Sequence, residues 1–210
     1  MMKYLFVFIT CFSFSAQAQD IEEFNRVRLK AGEGLMLTYG IWSLANLGVS
    51  SYGWATTDYE AKYFHQMNVA WSIVNLGIAI PCYIRARTED PGSLSFSQTW
   101  QRQSRTEKAF IFNTAFDLSY VSAGLIMKAS ADPNGNHYDR LQGYGNSFIL
   151  QGGFIFLLDL TATFIHTQHR KNKLDSFWNK IDLSNNGLGF KYTFSDKYNS
   201  NTSWAPEFGL

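Results

Sequence analysis

The sequence predicts a mainly α protein: a four-helix transmembrane bundle of two helical hairpins, with a small C-terminal β-hairpin. Three observations predict it. Four apolar segments, at about 34–55, 64–84, 109–127 and 146–167, each approach the ~20 residues a helix needs to cross a bilayer. None alternates with a period of two, and each is longer than a usual strand. The octet Trp42-Ser43-Leu44-Ala45-Asn46-Leu47-Gly48-Val49 returns as Trp71-Ser72-Ile73-Val74-Asn75-Leu76-Gly77-Ile78, with five of eight positions identical. Two neighbouring helices thus use one face for the same packing problem.

The elements follow in chain order. Residues 1–18 read as a secretory signal: Lys3 supplies a basic start, Tyr4 to Phe14 an apolar run, and Ala16-Gln17-Ala18 a small-x-small cleavage site. The run is short for a spanning helix. Residues 19–169 form the helical membrane domain and 170–210 a polar tail. Without the leader only Cys82 remains, which excludes an internal disulfide. Cys82 follows Pro81 at an expected helix end with no base beside it, and reads as an inert packing residue.

The connections are polar. Residues 56–63 form a short link. Residues 85–108 form a long basic one with a Pro91-Gly92 turn and Arg85, Arg87, Arg102, Arg105 and Lys108. Residues 129–144 carry Asp132-Pro133-Asn134-Gly135-Asn136, a turn signal that mimics the start of a calcium loop but lacks its Gly and closing Glu. Tyr52, Trp54, Tyr59, Tyr63, Tyr138 and Tyr144 lie near helix ends, as an interfacial aromatic belt requires. In the tail, the runs 181–183 and 188–194 flank Asn186-Gly187, which favours a tight hairpin turn.

Composition agrees with an apolar environment. Aromatics are 17% of the 210 residues, and charged residues are 17% where soluble domains run at about 25%. The mean hydropathy of −0.17 averages apolar segments with very polar connections. A net charge of +1 gives no electrostatic case for nucleic acid. Orientation raises a conflict. A cleaved leader places links 56–63 and 129–144 in the cytoplasm, yet the basic residues gather on the opposite side, against the positive-inside rule.

Helical spacing sorts the polar residues into stripes. His65, Asn68, Ser72, Asn75 and Ala79 share one face of segment two. Tyr39, Ser43, Asn46, Ser50 and Gly53 share one face of segment one. Trp42 and Trp71 sit one turn before the repeated Asn. Segments three and four carry Asp117-Leu118-Ser119 and Asp159-Leu160-Thr161. An Asp near a bilayer centre costs about 2.5–3.5 kcal/mol on insertion scales, so each is expected to face the interior. Asn46, Asn75, Asp117 and Asp159 are therefore expected to form one intramembrane polar layer, supported by Trp42, Trp71, His65 and Asn68. Structural glue that fixes helix register is the first reading of this layer. A proton or cation relay is the second, because two adjacent carboxylates share a proton.

Other chemistry finds little support. His166 and His169 lie one turn apart, but His65 belongs about 30 Å away on the other membrane side, so no metal site is expected. Phosphate loops, dinucleotide glycines and nucleophile elbows are missing from the sequence, so no enzyme and no cofactor is expected. The expected partners are membrane lipid and another membrane protein or a second copy of the chain. The expected location is the inner membrane of a bacterial cell envelope.

Phe64-His65-Gln66-Met67-Asn68, with Trp71 and Val74-Asn75-Leu76, resembles the core of a family of small uncharacterised bacterial membrane proteins, over roughly residues 25–170. The resemblance implies four membrane helices and transfers no catalytic residue. The first functional expectation is a structural or partner-binding bundle. The alternatives are a proton- or cation-coupled transporter using Asp117 and Asp159, and a site for a small hydrophobic ligand lined by Trp42 and Trp71.

Overall fold

The computed structural model describes the backbone of residues 2–175, 181–184 and 187–190, and the side chains of residues 20–174. Each apolar segment lies within its own helix: α1 Met2–Thr56, α2 Tyr59–Thr88, α3 Phe96–Ala129 and α4 Tyr138–Arg170, the last running on into a π turn over Lys171–Asp175. The helix α1 is continuous through the position where cleavage of a leader is expected.

The helices are longer, and the links shorter, than the apolar segments predict. The 85–108 link reduces to Glu89–Ser95, with a 3₁₀ turn over Pro91–Ser93. Its cause is a capping box. Ser95 Oγ accepts from Gln98 N–H while the Gln98 side chain accepts from Ser95 N–H, which satisfies two orphan donors and starts α3 at Phe96. Arg102, Arg105 and Lys108 therefore ride on α3. The 56–63 link is two residues, closed by Thr57, whose N–H and hydroxyl both donate to the Gly53 carbonyl at 2.9 and 2.7 Å. In the third link, Asp132 Oδ1 accepts from Asn134 N–H at 3.0 Å, making a polar turn. Pro81 does not end α2, which continues seven residues further to Thr88. Its missing N–H frees one carbonyl, a loss helices tolerate where neighbours re-satisfy it. Cys82 is thus mid-helix and exposed.

The helices pack as two antiparallel hairpins, α1 with α2 and α3 with α4, joined mainly by α2 against α4. Among the described residues, three helices are long and apolar enough to cross a membrane: α2, α3 and α4 with its π turn. The described part of α1, residues 20–56, does not reach that hydropathy, because Gly, Ser, Thr, Tyr and Trp dilute its apolar residues. Of the four expected spans, three meet this measure among the described residues.

Burial is reversed relative to a water-soluble domain. The largest fully buried side chains are all amides or hydroxyls, among them Gln103, Gln151, Asn68, Asn75 and Ser72. The exposed side includes Leu44, Val49, Ile73, Phe112, Leu157 and Phe164. In water the opposite sorting holds. The buried apolar cluster is small: Leu35, Tyr39, Ala79, Ile155, Leu158 and Ala162.

Of the expected C-terminal β-hairpin, only two short stretches of backbone lie among the described residues. Two four-residue backbone stretches, Ile181–Ser184 and Gly187–Phe190, pair antiparallel. Residues 185–186 and the expected extension through 191–194 lie outside the described residues.

Glycine sets two close approaches. At Gly143 a Cβ would stand 2.3 Å from the Glu60 carbonyl oxygen of α2, and at Gly145 it would stand 2.7 Å from the Gly124 carbonyl oxygen of α3. Backbone cannot yield there as a flexible side chain would. Gly143→Val is expected to force α2 and α4 apart and destabilise the bundle by about 1–3 kcal/mol, the usual cost of overpacking. Gly153→Val, where open space surrounds the Cβ, should change little. Thermal unfolding of both variants in non-ionic detergent measures the contrast.

Candidate functional site

One face of α4 organises the interior. Ser147, Gln151, Ile155, Asp159, Ala162 and His166 follow steps of three or four and are all buried. Polar groups on this face meet the other helices at three levels.

The first level centres on Gln151, which is fully buried. Its Nε2 donates to Asn46 Oδ1 at 3.3 Å and Asn68 Oδ1 at 2.7 Å. Its Oε1 accepts from Trp42 Nε1 at 3.1 Å and Asn75 Nδ2 at 3.5 Å. Both amide protons and both acceptor positions of the side chain are used. Asn75 Oδ1 in turn accepts from the Tyr39 hydroxyl at 2.7 Å. The two copies of the repeat behave in parallel: Ser43 donates to the Tyr39 carbonyl and Ser72 to the Asn68 carbonyl, each at 2.7 Å. Trp42 stacks on Phe154 at 4.0 Å, whereas Trp71 packs edge-on against Tyr120 and Phe148.

The second level lies two turns further along α4, about 12 Å away. Asp117 of α3 and Asp159 of α4 line one cavity of about 320 Å³, together with Tyr39, Trp71, Asn75 and Asn113. Asp117 is 3% exposed, and its Oδ2 has no hydrogen-bond partner among the described residues. The predicted single layer thus resolves into two: Asn46 and Asn75 gather at Gln151, and Asp117 and Asp159 gather at the cavity, with Asn75 bordering both. Asn68 joins the first group. His65 does not reach either set of partners; its ring lies against Gly53 at the far end of the bundle.

The third level is the end where α2 and α4 finish and α3 begins, beside Phe24–Arg28 in the interior of α1. Arg28, Arg85 and Arg102 approach Glu89 at 2.9, 3.4 and 3.7 Å. Arg170 Nε bonds both oxygens of Glu107 at 2.9 and 3.1 Å, and Gln103 bridges Glu107 to the His166 carbonyl. His169 meets the Phe24 carbonyl at 3.0 Å, so it and His166 do not form a common ligand face. Among the described residues no group of three His, Cys, Asp or Glu is placed to hold a metal ion.

Sequence reasoning missed Gln151, Arg28 and Glu89. The signal for Gln151 was present: the same three-and-four spacing that defines the stripes of α1 and α2 links Gln151 to Asp159 and His166 on α4.

A family model described as "Family of unknown function (DUF6992)" matches residues 38–160. The chain belongs to this family. The matched region contains both copies of the repeat, Gln151, and both interior Asp residues. No curated protein matches the chain. No solved structure matches it either.

Gln151→Leu strands four polar groups on α1 and α2. Interhelical bonds in membranes average about 0.6 kcal/mol, so a loss of about 2–3 kcal/mol is expected. Asn46→Ala removes one of those bonds and should cost a quarter of that. Denaturant unfolding in mixed micelles measures both.

Proposed function

We propose that this chain is a multi-pass inner-membrane protein of a bacterial envelope in which Asp117 and Asp159 bind and pass a proton or small cation. One observation carries the reading: Asp117 is buried, keeps an unpartnered carboxylate oxygen, and borders a cavity with a second carboxylate. A purely structural carboxylate would be expected to be saturated as Gln151 is. An Asn would serve that structural role without the ~2.5–3.5 kcal/mol an Asp adds at mid-membrane. An interior carboxylate with an open acceptor is what a proton or cation path requires.

The structural role favoured by the sequence belongs, in this reading, to the Gln151 cluster. Its saturation suits it to fixing the rotation of α1, α2 and α4. The outward apolar side chains are offered to lipid, or to another membrane protein or copy of the chain. The ligand reading loses Trp42, which is committed to Gln151 and Phe154, while Trp71 still borders the cavity. The reading includes removal of the leader and assigns no enzymatic step.

Two experiments test it. Purified protein in vesicles carrying a pH gradient, with potassium and valinomycin to balance charge, should collapse the gradient faster than empty vesicles. Asp117→Asn and Asp159→Asn should each slow collapse at least tenfold while unfolding as the parent does. Parent flux no faster than empty vesicles, or undiminished flux in both variants, sinks the proposal. Separately, single cysteines at Thr57 and Ser93 in a Cys11→Ser, Cys82→Ser background should label from opposite sides of the membrane. Labelling of both from one side removes the spanning arrangement.

A further inference from the structure

At the arginine end, the four helices enclose a second cavity of about 350 Å³. Its mouth holds Arg28, Arg85 and Arg102 with Glu89 as the carboxylate they share. Three guanidinium charges against that one carboxylate leave two positive charges in excess. The rest of the lining is mostly apolar, with Met36, Ile78, Phe110, Ile155 and Leu158. Tyr39, Thr106, Asn113 and Asp159 also line it, and so does His166. His166 is 2% exposed, and neither ring nitrogen has a hydrogen-bond partner among the described residues. Its ring lies flat beside Phe110, with centroids 5.5 Å apart and planes 16° apart. An imidazole in this state carries an N–H donor with nothing to receive it, and burying such a donor is costly.

Surplus guanidinium charge, a free buried donor and an apolar chamber behind them share one complement. We propose that this chamber binds a single-chain amphipathic anion: a phosphate monoester or carboxylate held by Arg28, Arg102 and His166, with its alkyl chain against Phe110 and Ile155. Guanidinium forks match the paired oxygens of phosphate and carboxylate, and gain strength where water is excluded. The alkyl part contributes by leaving water or headgroup for an apolar wall. Tyr39, Asn113 and Asp159 border this chamber as well as the carboxylate cavity, but Arg28, Arg102 and His166 border this one alone, so binding and flux can each fail alone.

The test is calorimetric titration of the full chain in non-ionic micelles, with protein-free micelles subtracted. The probes are octyl phosphate, octanoate, octyltrimethylammonium and inorganic phosphate. Octyl phosphate or octanoate should bind saturably at one per chain. Arg102→Gln should weaken binding at least tenfold; Arg102 is more than a third exposed, so folding should survive. His166→Phe keeps a ring against Phe110, removes the donor, and should also weaken binding. Arg26→Gln, which disturbs only pairs with Glu22 and Glu23, should leave it unchanged. Equal binding of the cationic amphiphile, equal binding in the Arg102 variant, or equal affinity for inorganic phosphate overturns the proposal. Mass spectrometry of the purified chain separates the sources. A retained lysophosphatidic acid adduct lost in Arg102→Gln identifies a membrane lipid; octyl phosphate binding without such an adduct identifies a free amphiphile.

Discussion

A buried primary amide with all its hydrogen-bonding capacity used, Gln151, fixes how three of the four helices face one another. Helices whose outward sides are apolar gain little by associating in hydrocarbon, so the specificity of their packing comes from close contact and from polar groups that need partners. Gln151 supplies the second. It takes Trp42 and Asn46 from α1 and Asn68 and Asn75 from α2. Rotating any of these helices by one residue, about 100°, would break the set. The glycines at 143 and 145 supply the close contact, and both lie about two turns before Gln151 on the same helix.

The repeated octet acquires a physical meaning here. Its two copies, on antiparallel neighbours, bring Asn46 and Asn75 to the same amide, but from opposite chemical sides. Asn46 accepts from the nitrogen of Gln151 and Asn75 donates to its oxygen. An amide side chain carries its donor and its acceptor on separate atoms, so the same residue type can meet Gln151 from either side. The equivalence stops at the tryptophans. Trp42 donates to Gln151, while Trp71 keeps an unpartnered N–H and borders the carboxylate cavity. The same sequence thus builds a closed structural contact on one side and part of an open cavity on the other.

Much of the fold was legible because length and composition are properties of segments. Four apolar runs became four helices, and the stripe Asn68, Ser72, Asn75, Ala79 is buried as its spacing requires. The limits of the helices were less legible. Counting charge treated Arg102, Arg105 and Lys108 as a link, although the Ser95–Gln98 capping box three residues apart marked the true start of α3. The candidate site was legible in kind but not in arrangement. Asn46, Asn75, Asp117 and Asp159 do turn inward, yet their division into two levels depends on helix rotation and offset. Those are set by partners such as Gln151, and no single segment encodes them.

The degree of satisfaction differs between the Gln151, Asp117 and His166 levels, and that difference separates structure from proposed function. At Gln151 every bond is made, so nothing is left for a ligand. At Asp117 one carboxylate oxygen is open, and at His166 both ring nitrogens are. The helices α2, α3 and α4 are about 45–51 Å long, well beyond a hydrocarbon core of about 30 Å. The arginine cluster at their common end can therefore sit at the headgroup level while Gln151 and the carboxylates stay within the apolar slab. In the proposed spanning arrangement the aromatic end, with Tyr52 and Tyr59 exposed, would meet the opposite interface. This placement also bears on the charge asymmetry that conflicts with the positive-inside rule. Arg28, Arg85 and Arg102 are gathered around Glu89, and Arg170 is bound to Glu107, so much of the basic excess is tied up within the fold. Basic residues held in internal ion pairs and at a cavity mouth answer to packing and binding as well as to membrane orientation.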